Sequence, residues 1–277
     1  MTSRATTGSA RRMLAQHGDW LETAARVGYV AKGVVYGVFG LLATMAAFGT
    51  GGSSGGTKNA IAEIGEQPFG RILLGLVALG LLCYSAWRFA QAILDPDRKG
   101  HDAKGIGQRI AQAVSGTVYL LLALFAGSLA LGMGAAGGSS KQAWTAWIMS
   151  FPFGQFVIGL AGLILAGVGV WHLYRAYTAD FMRQYKTGEM NPTERRWALR
   201  LGQFGLAARG VAFTIIGIFL VKAAVQSDPS EAKGLGEAVS TLREQPYGPW
   251  LMGLVALGFV AYGIYCFSRA RYRRIHT

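Results

Sequence analysis

Negative charge is scarce in this sequence, and its distribution is informative. Of 277 residues only 14 are Asp or Glu, and none falls within 27–48, 69–94, 110–131, 151–178, 205–225 or 247–267. Transporters coupled to protons or sodium usually keep an ionisable residue, typically a carboxylate, inside the membrane. The absence of any carboxylate from these runs argues against coupling through one and leaves a passive pore open. Cysteine is nearly lacking as well: Cys83 and Cys266 both sit inside apolar runs. They read as small buried residues rather than a disulfide, a metal pair or a redox motif. Of four histidines only His172 lies in an apolar run. A bis-histidine haem needs a second such ligand and a catalytic zinc normally three protein ligands, so no metal or cofactor is expected. P-loop and HExxH motifs are missing. The literal dinucleotide fingerprint Gly132-Met133-Gly134-Ala135-Ala136-Gly137 ends an apolar run and follows no strand. No catalytic constellation is left, so the expectation is a protein that is not an enzyme.

What the sequence has in abundance is apolar length. Hydrophobic residues make up 52% of the chain and charged ones 15%. A membrane-crossing helix needs roughly 20 mainly apolar residues, because the hydrocarbon layer is about 30 Å thick and a helix rises about 1.5 Å per residue. All six acid-free runs qualify. They are apolar on every face, whereas barrel strands alternate over about ten residues. The fold expected is therefore all-α and membrane-integral, with six transmembrane helices.

The net charge of +13 is unevenly placed. Arginine and lysine crowd the amino-terminal region (Arg4, Arg11, Arg12, Arg26), the second connection (Arg98, Lys99, Lys104, Arg109), the fourth (Arg183, Lys186, Arg195, Arg196, Arg200) and the tail (Arg269, Arg271, Arg273, Arg274). The alternate connections carry few. This is the positive-inside pattern, which puts both termini in the cytoplasm of an inner membrane. The expected partners are the bilayer and its anionic headgroups rather than nucleic acid. Residues 1–18 hold no continuous apolar stretch, so no cleaved signal peptide is expected.

The chain repeats itself. Arg26, Gly33 and Tyr36 recur as Arg109, Gly116 and Tyr119, then as Gln203, Gly210 and Phe213. Gln67-Pro68-Phe69-Gly70 recurs as Phe151-Pro152-Phe153-Gly154 and Gln245-Pro246-Tyr247-Gly248. The organisation is a basic tail (1–18), three two-helix units (19–97, 98–190, 191–271) and a short tail (272–277). Each unit holds an even number of spans, so the copies are parallel, and a pseudo-threefold axis along the membrane normal is expected. Within each unit a short amphipathic segment (59–66, 141–148, 235–242) precedes the proline and reads as an interfacial helix. Pro68, Pro152 and Pro246 are expected to start the next span. Asp19 with Glu22, and Asn191-Pro192 with Glu194, read as helix starts, and Trp20 and Trp197 as interfacial anchors. Glycines spaced five apart in the even helices turn the axis by about 500°. Those helices should therefore pack on several sides.

This triple hairpin, with Arg26-Val27-Gly28-Tyr29 and Gly33 opening it and the Pro-aromatic-Gly motif at Pro68, Pro152 and Pro246, resembles the bacterial membrane family called domain of unknown function 1206. The resemblance runs from about Trp20 to Arg271. Two positions depart from the pattern: Gln203 stands where the other copies have arginine, and Val168 where they have tyrosine. The resemblance implies the architecture and no activity.

One set of polar residues stands out within the spans. Lys32 and Arg209 are equivalent in the first and fifth helices, with Ser115 in the third; Arg88, His172 and Cys266 are equivalent in the even helices. Both sets lie roughly 10 Å inside the basic end, at about 1.5 Å per residue. Two readings stand side by side. Long side chains could simply snorkel to headgroups. Alternatively Lys32, Arg88, His172 and Arg209, narrowed by Tyr84, Trp87, Trp171, Tyr262 and Tyr265, form a basic vestibule that binds or passively conducts a small anionic or lipid-like ligand. The competing role is that of a poreless structural partner of another membrane protein; an intramembrane enzyme is the weakest alternative.

Overall fold

The structure is a computed structural model that describes residues 3–95, 102–133 and 141–273, with side chains from Glu22 onward except at 103, 104 and 141–143. Every regular element among the described residues is helical. Among the described residues six helices are long and apolar enough to cross a bilayer: α1 (Ser3–Ala47, crossing from Glu22), α3 (Gly70–Leu94), α4 (Ala103–Ala130), α6 (Gly154–Thr178), α7 (Pro192–Gln226) and α9 (Gly248–Tyr272). Three short helices, α2 (Thr57–Glu66), α5 (Lys141–Met149) and α8 (Leu235–Thr241), occupy the amphipathic segments. Large apolar side chains such as Leu121, Phe156, Leu163 and Leu254 are exposed along the outside of the long helices, as a lipid-facing surface requires. The protein is a multi-pass membrane protein.

Several boundaries differ from those expected. α1 does not start at Asp19; it runs on from Ser3, through a stretch rich in good helix formers (Ala10, Arg11, Arg12, Met13, Leu14). Asn191 does cap α7, with Glu194 closing a reciprocal capping box. The prolines do not start the even helices. Each lies two residues earlier, and the aromatic that follows it takes a left-handed backbone at φ 61 (Phe69), 65 (Phe153) and 60 (Tyr247). The next residue must be glycine, because a Cβ on Gly70 would lie 2.1 Å from the Gly65 carbonyl oxygen. The Pro-aromatic-Gly motif is thus a tight turn from a short helix into a long one. Trp197 is exposed, in keeping with an anchor. Arg4, Arg11, Arg12, Arg98, Lys99, Lys104, Arg274, Trp20 and the end of the glycine run (Gly134, Ala135, Ala136, Gly137) lie outside the described residues or side chains.

The long helices follow a definite order of neighbours. The closest pairings join the even helix of one repeat to the odd helix of the next: α3 with α4, α6 with α7, and α9 with α1. Arginine reinforces two of these joints in the same way. Arg26 at the basic end of α1 donates to the carbonyls of Ala270 and Arg271 at the end of α9. Its equivalent Arg109 donates to Ala92 (2.6 Å) and Ile93 (3.0 Å) at the end of α3. Both satisfy carbonyls that a helix terminus leaves open, and both place a cation at the negative end of the helix dipole.

Within a repeat the two long helices pack in the first copy (α1 with α3) and the third (α7 with α9). The seam is the same in both. A Cβ on Gly28 would lie 2.6 Å from Tyr84 Cα, and one on the equivalent Gly205 2.6 Å from Tyr262 Cα. Gly80 lies against Ala31 as Gly258 lies against Ala208. In the second copy α4 and α6 do not pack against each other. The six helices therefore follow one another in the order α4, α3, α1, α9, α7, α6. Because side chains of α4, α3, α9 and α7 all meet those of α1 at one cluster, the series curves into an open ring with α4 and α6 at its ends. Among the even helices, α9 shows the tight contact on more than one side: Gly263 meets Gly33 of α1 while Gly258 meets α7.

Candidate functional site: a lysine among tyrosines

Five helices send side chains into the concave side of the ring. Lys32 of α1 is 2% exposed although it carries a cation. Its Nζ lies 5.8, 4.8, 5.0 and 5.3 Å from the ring centroids of Tyr36, Tyr84, Tyr119 and Tyr262, which come from α1, α3, α4 and α9. It donates a hydrogen bond to Tyr84 Oη at 3.1 Å. The rings hold one another edge to face, Tyr84 against Tyr119 at 4.6 Å and Tyr36 against Tyr262 at 5.1 Å. Tyr119 donates to Tyr36 Oη at 3.3 Å. The negative ring faces partly replace the water that Lys32 has lost.

Arg209 of α7 joins the same cluster. Its guanidinium lies 4.7 Å from Tyr262 and Phe213 and 5.5 Å from Tyr36, and it donates to Tyr262 Oη. Arg88 of α3 lies 5.1 Å from Tyr84 and donates to Gln91 Oε1 at 3.0 Å. His172 of α6 reaches the edge of the cluster through Phe213, 5.6 Å away, while its Nδ1 lies 2.8 Å from the Val168 carbonyl of its own helix. Lys32, Arg88, Arg209, Tyr84 and Tyr262 thus meet directly, and His172 borders them.

Of the remaining vestibule candidates, Trp87 and Trp171 lie elsewhere. Trp87 is buried against Ala25 and Ala90, with the Arg273 guanidinium 5.8 Å from its ring. Trp171 is half exposed on the outer face of α6 beneath Arg175 at 4.7 Å. Tyr265 borders the cluster through Tyr262, 5.8 Å away, and packs on Phe181 at 5.3 Å in a layer nearer the basic end. In that layer Arg269 and Arg273 lie 4.8 and 5.3 Å from Tyr29. Arg273, just past the end of α9, is held down to about 10 by burial and stays charged at neutral pH. Tyr185, in the connection before α7, is pushed well up by burial. Cys266 is buried. Tyr36 and Tyr119 belong to the site although their place in it was not expected; their recurrence at one repeat position was the available signal.

The comparisons with known proteins agree with this triple plan. A family described as Domain of Unknown Function (DUF1206) matches residues 27–95, 110–179 and 204–273, one match for each pair of long helices. The chain belongs to this family. A similar protein from Bacillus subtilis (strain 168), described as "Uncharacterized protein YxxB", is 32% identical over 256 residues, 92% of each chain. No solved structure matches. In family terms, the cluster is built from positions that recur in each copy. Lys32, Ser115 and Arg209 are one set, Tyr36, Tyr119 and Phe213 a second, and Tyr84, Val168 and Tyr262 a third.

Proposed function

We propose that the tyrosine-lined cluster binds a small anionic group, without catalysis, as the membrane-embedded site of this family member. The observation that carries this reading is the burial of Lys32 beside Arg209 in runs, 27–48 and 205–225, that contain no carboxylate. Removing an ion from water costs several kcal/mol even after the protein relaxes. Phenol rings at about 5 Å return part of that, about 2 kcal/mol for a well-placed desolvated pair. Mutual repulsion of the two cations adds to the deficit. An anion at the phenol hydroxyls and the two cations would offset it, and the same field repels cations. The topology that suits this reading keeps both termini in the cytoplasm, with the cluster on the cytoplasmic side and α2, α5 and α8 along the outer interface. The three repeats are then related by a pseudo-threefold axis along the membrane normal, broken at the second copy.

The test is calorimetric titration of purified protein with inorganic phosphate, and separately with phosphatidylglycerol in mixed micelles. Wild type is compared with a Lys32→Gln, Arg88→Gln, Arg209→Gln variant of matching helical content. The variant is expected to bind at least tenfold more weakly to whichever probe wild type binds. Equal binding by both proteins would leave snorkelling as the role of these residues.

A further inference from the structure

The open joint between α4 and α6 can be traced to particular residues. In the first and third copies the seam is made by Gly28 with Tyr84 and Ala31 with Gly80, then by Gly205 with Tyr262 and Ala208 with Gly258. The second copy has Ala111 with Val168 and Val114 with Ile164 at these positions. A methyl group at the glycine of the seam would meet the backbone of the facing helix at 2.6 Å. Backbone cannot rotate aside as a side chain can, so α4 and α6 cannot close as the other pairs do. Ala111, Val114 and Ile164 are accordingly exposed. The same copy also lacks the cation and the tyrosine at its cluster positions, having Ser115 and Val168, both half-buried. The ring is therefore open at the place where its inner lining is smallest and uncharged.

Resting on the proposed anion site, we infer that the gap between α4 and α6 is a lateral portal through which an anionic phospholipid reaches the cluster from the bilayer. Its acyl chains lie along the apolar edges at Ala111, Val114 and Ile164. Its headgroup passes Ser115 and Val168 to meet Lys32 and Arg209. The two chemistries are complementary: an apolar slot facing hydrocarbon leads inward to the buried Lys32 and the half-buried Arg209, which have no carboxylate partner among the described residues. A water-soluble anion has the right charge but nothing to place in the slot, whereas an amphiphile satisfies both parts.

The portal is tested on the full-length protein in phosphatidylcholine nanodiscs doped with phosphatidylglycerol, by native mass spectrometry of retained lipid. Glycerol 3-phosphate serves as the soluble headgroup control. Three variants separate the parts. Ala111→Gly, Val114→Ala, Ile164→Gly, Val168→Tyr recreates the closed seam of the other copies. Val114→Trp, a milder change, plugs the slot, and Lys32→Gln with Arg209→Gln removes the cations. Nitroxide pairs at Ser128 and Leu160, away from the substituted positions, report whether α4 and α6 approach in the closed-seam variant. The expected result is at least tenfold preference of wild type for the lipid over glycerol 3-phosphate, with lipid retention lost at least tenfold in all three variants. If the seam and plug variants retain lipid while the cation variant loses it, the portal is refuted and the anion site stands. Retention by the cation variant alone would refute both. Glycerol 3-phosphate binding as tightly as the lipid would make the ligand a soluble anion and overturn the portal. A photo-crosslinker at Val114 should capture lipid; capture of a polypeptide would show that the gap seats a partner helix and would overturn it too.

Discussion

Substituting Gly28 by alanine tests whether the repeated seam sets the site. The added Cβ would lie 2.6 Å from Tyr84 Cα and Cβ and 2.7 Å from Tyr84 N. Non-bonded carbons prefer about 3.5–4.0 Å, so α1 and α3 must part by roughly 1 Å. Overpacking of this kind costs about 1–3 kcal/mol, and the upper end applies because the obstructing atoms include backbone. Alanine also gains about 1 kcal/mol of helix propensity over glycine, which would hide part of the loss. Gly37→Ala supplies the control, since a Cβ there meets nothing within 4 Å. The difference between the two variants isolates the clash at about 1–3 kcal/mol. The displacement also reaches the cluster. The Lys32–Tyr84 bond of 3.1 Å would stretch to roughly 4 Å, outside hydrogen-bonding range. Thermal melts in detergent, followed by tryptophan fluorescence, should place Gly28→Ala clearly below Gly37→Ala, with anion binding weakened in the former alone. Equal melting points with unchanged binding would refute the claim that this contact fixes the helix spacing and the cluster together.

Lys32→Met should leave the ligand-free protein as stable or stabilise it by about 1–4 kcal/mol, because a buried cation gives way to an apolar chain of similar length; a marked drop in melting point would show that the tyrosines already compensate the charge. Arg109→Ala removes two bonds to α3 carbonyls and should destabilise by about 1–3 kcal/mol. Faster hydrogen exchange at the end of α3 is the accompanying measurement, and unchanged exchange counts against the capping role. In a background with Cys83 and Cys266 replaced by serine, Ser54→Cys should react with an impermeant thiol reagent added outside cells and Glu189→Cys should not; the reverse pattern inverts the membrane orientation.

The long helices and their threefold repetition are legible without tertiary structure for a local reason. Backbone groups in hydrocarbon must be satisfied within their own segment, so an apolar run such as 151–178 becomes a helix whatever its neighbours. The Pro-aromatic-Gly motif is visible in the same way, though its turn geometry is not, since the clash that demands glycine lies with a carbonyl five or six residues back. The site is only half legible. Lys32, Arg209, Tyr84 and Tyr262 are recognisable from depth and repetition, while Tyr36 and Tyr119 are recognisable as repeats but not as the walls around Lys32. Trp87 and Trp171 occupy one repeat position yet meet opposite fates: Trp87 is buried against Ala25 of α1 and the Arg273 guanidinium, whereas α6 packs closely on α7 and leaves Trp171 exposed. The sequence by itself determines what depends on each segment's own solvation: six spans, three copies and the layer of cations. Tertiary structure decides what depends on pairs of distant positions. Whether alanine at 111 matters cannot be judged until its partner at 168 is known, because packing energy belongs to the contact and not to either residue. That pairing decides which helices touch, and with it the place where the ring stays open.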